Sequence, residues 1–337
     1  MTTVRYKVGG LFSGVGGIEL GFQNSGFDIS WSNEFDKYSN ETLKTNFGHQ
    51  HYECDIKELL GKELSPTDVL VAGFPCQPFS IGGHRKGFDD DRGSLFFEIT
   101  RIINEMKTKP TVLFFENVKN FYTHDKGNTF KIIHDILNEE LGYSVFHKVL
   151  NAAKYTNIPQ NRERTFIICF KNEKGWEWKG DRRSISAYFN NCFPPAETEC
   201  NNSFREYLEK EPIDKKYFYN EDSYNFNELK KAITSKNNIY QWRRVYVREN
   251  KNGLCPTLTA NMGTGGHNVP IIKTKQGIRK LTPKECFNLQ GFPKEFIIPK
   301  HLSNARLYQQ AGNSVSVNLI TKIAKLIERS LLSRKES

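Results

Sequence analysis

Tyr6-Lys7-Val8-Gly9-Gly10-Leu11-Phe12-Ser13-Gly14-Val15-Gly16-Gly17-Ile18-Glu19 is the stretch that decides the fold. Its apolar beginning, Tyr6 to Phe12, predicts a strand, and glycines at 14, 16 and 17 come directly after it and before a helix-like segment. Glycines in that place let the backbone approach a ligand closely and leave free N–H groups facing it, which points to a nucleotide-like cofactor. The spacing departs from the dinucleotide fingerprint, because a third glycine counted from Gly14 would stand at position 19, and the residue there is Glu19. A carboxylate repels a pyrophosphate, so the cofactor expected is one without phosphates.

Further strands are predicted over Phe27–Asn33, Asp68–Gly73, Thr111–Phe115 and Thr165–Phe170. Between them Arg92–Lys107 has Leu95, Ile99, Ile102, Ile103 and Met106 at helical spacing. Strands alternating with helices predict an α/β fold with a parallel sheet. From about Glu173 to Ile278 the pattern dissolves into Asn, Tyr, Lys and Phe with short β-like pieces such as Tyr240–Val247, and a second lobe is expected there. Order returns with Thr282-Pro283-Lys284-Glu285, a capping box with Pro at the first helical position, and with Gly291 as a helix stop. A final helix, roughly Val315 to Leu332, places Leu319, Ile320, Ile323, Ile327 and Leu331 on one face.

The net charge of +10 over 337 residues is unevenly spread. Residues 1–170 hold 19 Lys and Arg against 21 Asp and Glu, residues 171–280 hold 20 against 13, and residues 281–337 hold 9 against 4. A basic surplus confined to one region marks a face that meets a polyanion. No apolar run nears the roughly 20 residues needed to span a bilayer, and the first residues show no secretory signal, so a cytoplasmic protein is expected. Seven scattered cysteines without a Cys-x-x-Cys pair exclude a disulfide framework and a zinc site as working readings, and no metal is expected.

Candidate chemistry gathers at predicted strand ends. Glu34, 20 residues after Gly14, is placed to accept from ribose hydroxyls, and Asp55 to take an adenine amino group. Cys76, between Pro75 and Pro78, follows the third strand in the loop where open α/β sheets bind ligands, the place for a thiolate nucleophile. Glu116 follows an apolar run at the rim of the same crevice, where desolvation favours a held proton. Arg162 and Arg164 are two apart and share a side if extended. They could stabilise a thiolate, orient a base or hold a phosphate.

These residues together resemble the C5-cytosine DNA methyltransferases of the compact bacterial modification type. The matching blocks are Phe12-Ser13-Gly14-Val15-Gly16-Gly17, Glu34, Asp55, Gly73-Phe74-Pro75-Cys76-Gln77, Glu116-Asn117-Val118, Gln160-Asn161-Arg162-Glu163-Arg164, Arg279-Lys280-Leu281-Thr282-Pro283-Lys284-Glu285-Cys286 and Gly312-Asn313-Ser314-Val315. The resemblance implies a Rossmann-like methyltransferase fold: a mixed, mainly parallel sheet with helices on both faces, plus a smaller target-recognition lobe. It implies a catalytic and cofactor-binding domain over 1–172, a target-recognition domain over 173–278, and a C-terminal segment over 279–337 whose last helix returns to the catalytic domain. Cys76, Glu116, Arg162 and Arg164 would be catalytic. S-adenosylmethionine, leaving as S-adenosylhomocysteine, would lie against Phe12, Gly14, Val15, Gly17, Glu34, Phe35, Asp55, Ile56, Pro75, Leu95, Asn313 and Ser314.

Double-stranded DNA would meet Gln77, Arg85, Arg243, Arg244, Thr257, Asn261, Gly263 and His267, with Arg248 beside them. A flipped cytosine, a covalent Cys76–C6 adduct, a monomeric bacterial protein working at the nucleoid and a cognate restriction endonuclease complete the expectation. The alternatives are the same chemistry on transfer RNA, a nicotinamide oxidoreductase, and a non-catalytic DNA-binding regulator. The nearest match to the transfer-RNA branch's Cys-Phe-Thr signature, Cys286-Phe287-Asn288, belongs to the helix after Pro283. Glu19 and the Pro75-Cys76 pair disfavour the second alternative, and the presence of Cys76, Glu116 and Arg164 the third.

Overall fold

The computed structural model describes residues 5–75, 94–172, 193–196, 200, 202–210, 212–223, 225–243, 245–264 and 269–335. The chain divides into two compact units, one of residues 1–150, 163–195 and 320–337, the other of residues 151–162 and 196–319.

The first unit is built on a seven-stranded sheet. Its strands are β1 (Lys7–Leu11), β2 (Asp28–Asn33), β3 (Gln50–Tyr52), β4 (Val69–Ala72), β5 (Val112–Val118), β6 (Tyr143–Asn151, which ends one residue into the other unit) and, after the short β7 (Gln160–Asn161) of the other unit, β8 (Glu163–Lys171). The order across the sheet is β3-β2-β1-β4-β5-β8-β6. Strands β3, β2, β1, β4 and β5 run parallel, and β8 runs antiparallel to β5. Chain direction across the sheet reverses between β1 and β4, the switch point where a doubly wound sheet opens a crevice at its carboxyl edge.

The helices α1 (Gly17–Gln23), α2 (Lys37–Asn46), α3 (Ser94–Glu105) and α4 (Asn128–Asp135) cover the sheet. On one face Leu113 and Phe115 of β5 share a core with Ile99, Ile102 and Ile103 of α3 and Ile133 of α4. On the other, Phe114 meets the edge of Phe22 of α1 at 5.4 Å. Strand alternation sends neighbouring residues of β5 to opposite faces, both covered, so its run reads as continuously apolar. Helix Val317–Lys335 belongs with this unit from Ile320 onwards, and Gly21 of α1 packs directly on Ile320.

All five strands expected from the sequence are present. The fourth runs three residues further than predicted, so Glu116, Asn117 and Val118 are strand residues hydrogen-bonded to β8. Strands β3 and β6 were not foreseen: β3 is three residues long, and β6, with Ser144, Phe146 and His147 partly or fully exposed, lacks the apolar density of a buried strand.

The second unit contains β7, β9 (Ile239–Arg243), β10 (Tyr246–Asn250), β11 (Cys255–Pro256), β12 (Ile271–Lys273) and β13 (Ile278–Lys280), with a four-stranded sheet in the order β10-β9-β12-β13. Strand alternation puts Tyr240, Trp242 and Ile271 into a small core with Leu229 of helix Phe226–Ala232 and Ile233 just after it. The capping box is formed as predicted: Thr282 accepts from Glu285 N at 3.1 Å, Glu285 accepts from Thr282 N at 2.8 Å, and Pro283 opens the helix. Gly291 has φ 85° at the expected stop.

Both glycines in β1 are dictated by what crosses them. A Cβ on Gly9 would stand 2.2 Å from the buried Trp31 indole, whose N–H is tied to Ser65 O at 3.0 Å. Overpacking of this kind costs about 1–3 kcal/mol. Gly9→Ala is expected to lower unfolding free energy by that amount in a urea titration, with an unchanged m-value.

Candidate active site

Register places the candidate residues in a row. Asn33 pairs with Leu11, Leu11 with Ala72 and Ala72 with Phe115, so the residues next along the chain, Glu34, Phe12, Gly73 and Glu116, stand side by side at the carboxyl edge. This is the rim of the crevice predicted by topology.

The β1–α1 turn is strained and held. Phe12 (φ 55°), Gly14 (φ 56°) and Gly16 (φ 83°) are all left-handed, a conformation that a bulky non-glycine residue rarely adopts. Ser13 N donates to Asn33 O at 3.0 Å and Gly16 N to Ser13 O at 2.8 Å. The Glu34 carboxylate accepts from Gly14 N at 2.7 Å and from the N–H groups of Phe35 and Asp36 at 2.9 and 2.7 Å. Burial raises the Glu34 carboxyl above its ordinary value, and the three N–H donors offset part of that rise. Space above Gly14 is open: a Cβ there would meet nothing within 4 Å. Glu19 does not face this space, contrary to the sequence expectation, because α1 turns its side chain into the protein, where it is 0% exposed. Glu34 is the carboxylate at the turn.

Other expected cofactor residues take different places. Val15, Gly17 and Ile56 are buried, Phe35 is exposed, and Leu95 packs against the core. Asn33 Nδ2 holds the carbonyls of Tyr52 and Cys54 at 3.0 and 2.9 Å, which fixes the approach to Asp55. Arg101 of α3 holds the carbonyls of Ile56 and Leu59 just beyond. A buried hydroxyl at Ser13 with no partner beyond Glu19 among the described residues, the open cradle over Gly14 and the absence of any Lys or Arg from this turn suit a nucleoside lacking phosphates.

Glu116 lies beside the end of β4, where a Cβ on Gly73 would stand 4.0 Å from its Oε2. Arg164 Nε is 3.0 Å from Glu116 Oε1, both side chains largely buried. Asn117 Nδ2 donates to Phe74 O at 3.1 Å and pins the chain two residues before Cys76. Cys76, Gln77, Arg85, Arg244 and His267 lie outside the described residues, whereas Pro75 is described and exposed. Asn117 was missed as a positioning group, although it sits inside the Glu-Asn-Val block.

Arg162 and Arg164 do not share partners. The short strand β7 ends at Asn161 and β8 starts at Glu163, and the break at Arg162 abolishes the alternation that would put both on one side. Arg162 is buried in the second unit and donates to the carbonyls of Leu258 (2.8 Å), Gly312 (3.2 Å) and Ser314. Beside it Gln160 accepts from Leu258 N at 3.3 Å and donates to Leu289 O at 2.8 Å. In this unit Asn313 is exposed, and Ser314 is buried with an unpartnered hydroxyl.

An open groove of about 710 Å³ in the second unit is lined by Asn161, Arg243, Arg248, Lys251, Thr257 and Asn261, among others. Arg243, Arg248, Thr257 and Asn261, all expected toward DNA, are therefore brought together. Gly263 instead packs on Tyr308, where a Cβ would stand 2.6 Å from the ring. Lys251 and Asn161 were not foreseen in this role. Among the described residues no cluster of His, Cys, Asp and Glu could hold a metal ion, and no helix is long and apolar enough to cross a membrane.

A crevice at the switch point of a mainly parallel sheet, with a held glycine turn and a paired carboxyl at the next strand end, defines a nucleoside-cofactor transferase fold. Residues 6–329 match the family described as C-5 cytosine-specific DNA methylase, and the chain belongs to that family. It is 48% identical over 330 residues to the Type II methyltransferase M.Bsp6I of Bacillus sp. (strain RFL6), covering 97% of this chain and 99% of that protein. It is 38% identical to the Type II methyltransferase M.HhaI of Haemophilus parahaemolyticus, covering 95% and 94%. The crystal structure of S. pombe Dnmt2 methyltransferase superimposes with a TM-score of 0.73 at 22% identity, over 97% of this chain and 99% of that one. The protein is a DNA (cytosine-5-)-methyltransferase of the type II restriction-modification family, a family of S-adenosylmethionine-dependent enzymes.

Arg162 supports three carbonyls that would otherwise be buried without donors, each worth about 1–3 kcal/mol. Arg162→Ala is expected to lower stability by at least about 3 kcal/mol in denaturant unfolding. Arg162→Lys should fail to restore it, since an ammonium lacks the planar fork that reaches several acceptors.

Proposed function

We propose that the protein methylates C5 of a cytosine flipped out of a specific short duplex sequence, and that Cys76 forms a transient covalent bond to C6. The observation that carries this is the placement of Glu116: on the strand next to the one that leads into Cys76, in contact with Arg164, with Asn117 holding Phe74. A cytosine inside the stack presents no accessible face to such a pair, so it must leave the helix.

The Cys76 thiolate adds to C6 while Glu116 places a proton on N3, and the electron pair thus freed makes C5 nucleophilic. When bound, S-adenosylmethionine supplies a methyl group on a sulfonium, whose departure as a neutral thioether needs no metal. Loss of the C5 proton to a base then expels Cys76 as thiolate, and return of the N3 proton to Glu116 leaves neutral, aromatic 5-methylcytosine. Arg164 holds Glu116 in place for this exchange. Phe12, Gly14, Glu34 and Asp55 would hold the cofactor in the first unit.

Strand alternation supports the DNA reading. In the β9–β10 hairpin Tyr246 pairs with Arg243 and Arg248 with Gln241, so these four share one face, while Tyr240, Trp242, Val247 and Glu249 share the other. The second face is committed to the small core, and Glu249 is occupied by Asn238 and Tyr240. What remains exposed is a cationic ribbon carrying Arg243 and Arg248, whose tip exposes Val245 (85%) and Tyr246 (58%), while Gln241 on the same face is buried. A B-DNA major groove about 12 Å wide admits a two-stranded ribbon, where arginine reads guanine and Gln or Asn reads adenine. The reading extends to a monomer in the bacterial cytoplasm that protects host DNA from a cognate endonuclease.

The test is incubation with labelled S-adenosylmethionine and complex duplex DNA, followed by conversion sequencing. C5-methylation at one recurring short sequence is expected; transfer to transfer RNA alone, or to neither, would overturn the reading. Glu116→Gln should slow turnover by about 10²–10⁴-fold while S-adenosylhomocysteine still binds, as calorimetry would show. Cys76→Ser should abolish turnover with cofactor binding kept. Arg248→Ala should relax specificity at one position by about 1–3 kcal/mol if it reads a base, visible as new methylated sequences. A uniform loss over all sites, with a salt slope lower by about one, would make it a phosphate contact instead.

A further inference from the structure

Glu19 stands in the first turn of α1 with its side chain sealed inside the first unit. A Cβ on Gly10 would lie 2.1 Å from Glu19 Oε1 and 2.9 Å from Ser13 Oγ, so β1 is bare at this point to admit both groups. Ser32 Oγ reaches Oε1 at 3.4 Å and lies 2.7 Å from His49 Nε2. Glu19 Oε2 and Ser13 Oγ are both buried, and beyond their mutual interaction neither has a hydrogen-bond partner among the described residues. Ser13 is the middle residue of the strained Phe12–Gly14 segment, whose outer side Glu34 already holds.

We propose that Glu19 is a positioning residue for the cofactor turn: its carboxyl and the Ser13 hydroxyl brace the turn from beneath, and ionisation, which puts an anion with no counter-charge into this sealed pocket, loosens the turn and weakens cofactor binding. The proposal rests on the assignment of this turn to the cofactor. Ionisation would leave a buried anion served by hydroxyls and backbone alone, and loosening the turn to admit water is the available relief. The groups facing it add no positive charge. From β1 and the turn come Gly10 and Ser13; from β2 comes Ser32, and from just beyond it the Glu34 carboxyl, whose charge opposes a second anion. Between α2 and β3 stands His49, pushed down to about 4 by burial and by His51, and so neutral at physiological pH. From helix Val317–Lys335, Ile320 packs on the same helix at Gly21.

Burial pushes the Glu19 carboxyl up to about 7, with the Ser13 and Ser32 hydroxyls and the α1 backbone pulling it down less. Because the value is raised in the folded protein, the neutral form and its hold are present below pH 7 and are lost as pH rises through it.

The experiment is calorimetric titration of S-adenosylhomocysteine into the full-length protein and its Glu19→Gln variant from pH 6 to 9. Wild-type affinity is expected to fall above pH 7, by at most about tenfold per pH unit. Glu19→Gln, whose amide donates to Ser13 at every pH, should stay tight and flat. A flat wild-type profile, or a variant that follows the wild-type curve, overturns the proposal. Ser13→Ala offers a second check: it should bind at pH 6 as weakly as wild type does at pH 9, and retained tight binding with the wild-type pH profile overturns it. Absence of binding at every pH by a protein that still unfolds cooperatively removes the cofactor assignment itself, and this proposal with it.

Discussion

Hydrogen-bond register is the constraint on which the active site depends. Because Asn33, Leu11, Ala72 and Phe115 lie in one row, four chain segments leave the sheet at the same level, and the residue that follows each is delivered to one edge. A slip of one residue on any strand would turn its side chains to the other face and withdraw a member of the set. The buried faces prevent such slips: Phe114 packs on the Phe22 side and Phe115 on the α3 side, and exchanging them would undo both cores. The site is thus positioned by apolar packing, although its chemistry is polar.

In the second unit the organiser is a polar one. Arg162 grips the carbonyls of Leu258, Gly312 and Ser314, and Gln160 bonds Leu258 N and Leu289 O from two residues away. Gly312 stands so near Thr259 that a Cβ would lie 2.2 Å from its carbonyl carbon. One guanidinium therefore fixes both the Thr257–Asn261 segment that lines the groove and the Asn313–Ser314 segment expected at the cofactor. A buried cation with several carbonyl acceptors is costly to break and insensitive to salt, unlike a surface ion pair. Its neighbour two residues on, Arg164, does the same for Glu116 in the first unit.

What could be read from the residues was what repeats or punctuates. Strand β1, the helix at Ser94–Glu105 and the Thr282 capping box declare themselves through apolar periodicity and turn chemistry. The half-exposed β6 and the three-residue β3 carry little such signal and exist through their neighbours. Single residues at strand ends, Glu34 and Glu116, were legible because topology says where they must lie. The fates of Arg162 and Glu19 were not. Each depends on a break or a turn of the chain: β7 stops one residue before Arg162, and α1 rotates Glu19 inwards. Neither event alters composition or spacing. The groove residues Asn161 and Lys251 were invisible for a related reason, since sites separated by 90 residues in sequence line the same wall.

The Glu34 carboxyl at the turn proposed for the cofactor explains how the turn can be both strained and specific. A non-glycine residue held at left-handed φ costs on the order of 1–3 kcal/mol, and Phe12 is one. Hydrogen bonds to a charged group return about 1.5–3 kcal/mol each, and Glu34 accepts three from backbone N–H groups, one of them from Gly14 inside the turn. The Gly14 N–H bond thus ties the strained turn to a carboxyl placed where other glycine turns place a phosphate. That exchange has a chemical consequence: the Gly14 N–H already has a carboxyl partner, and a phosphate brought to the same place would meet that acidic group. Selection for a phosphate-free nucleoside is built into the way the turn is held, before any contact with the ligand is made.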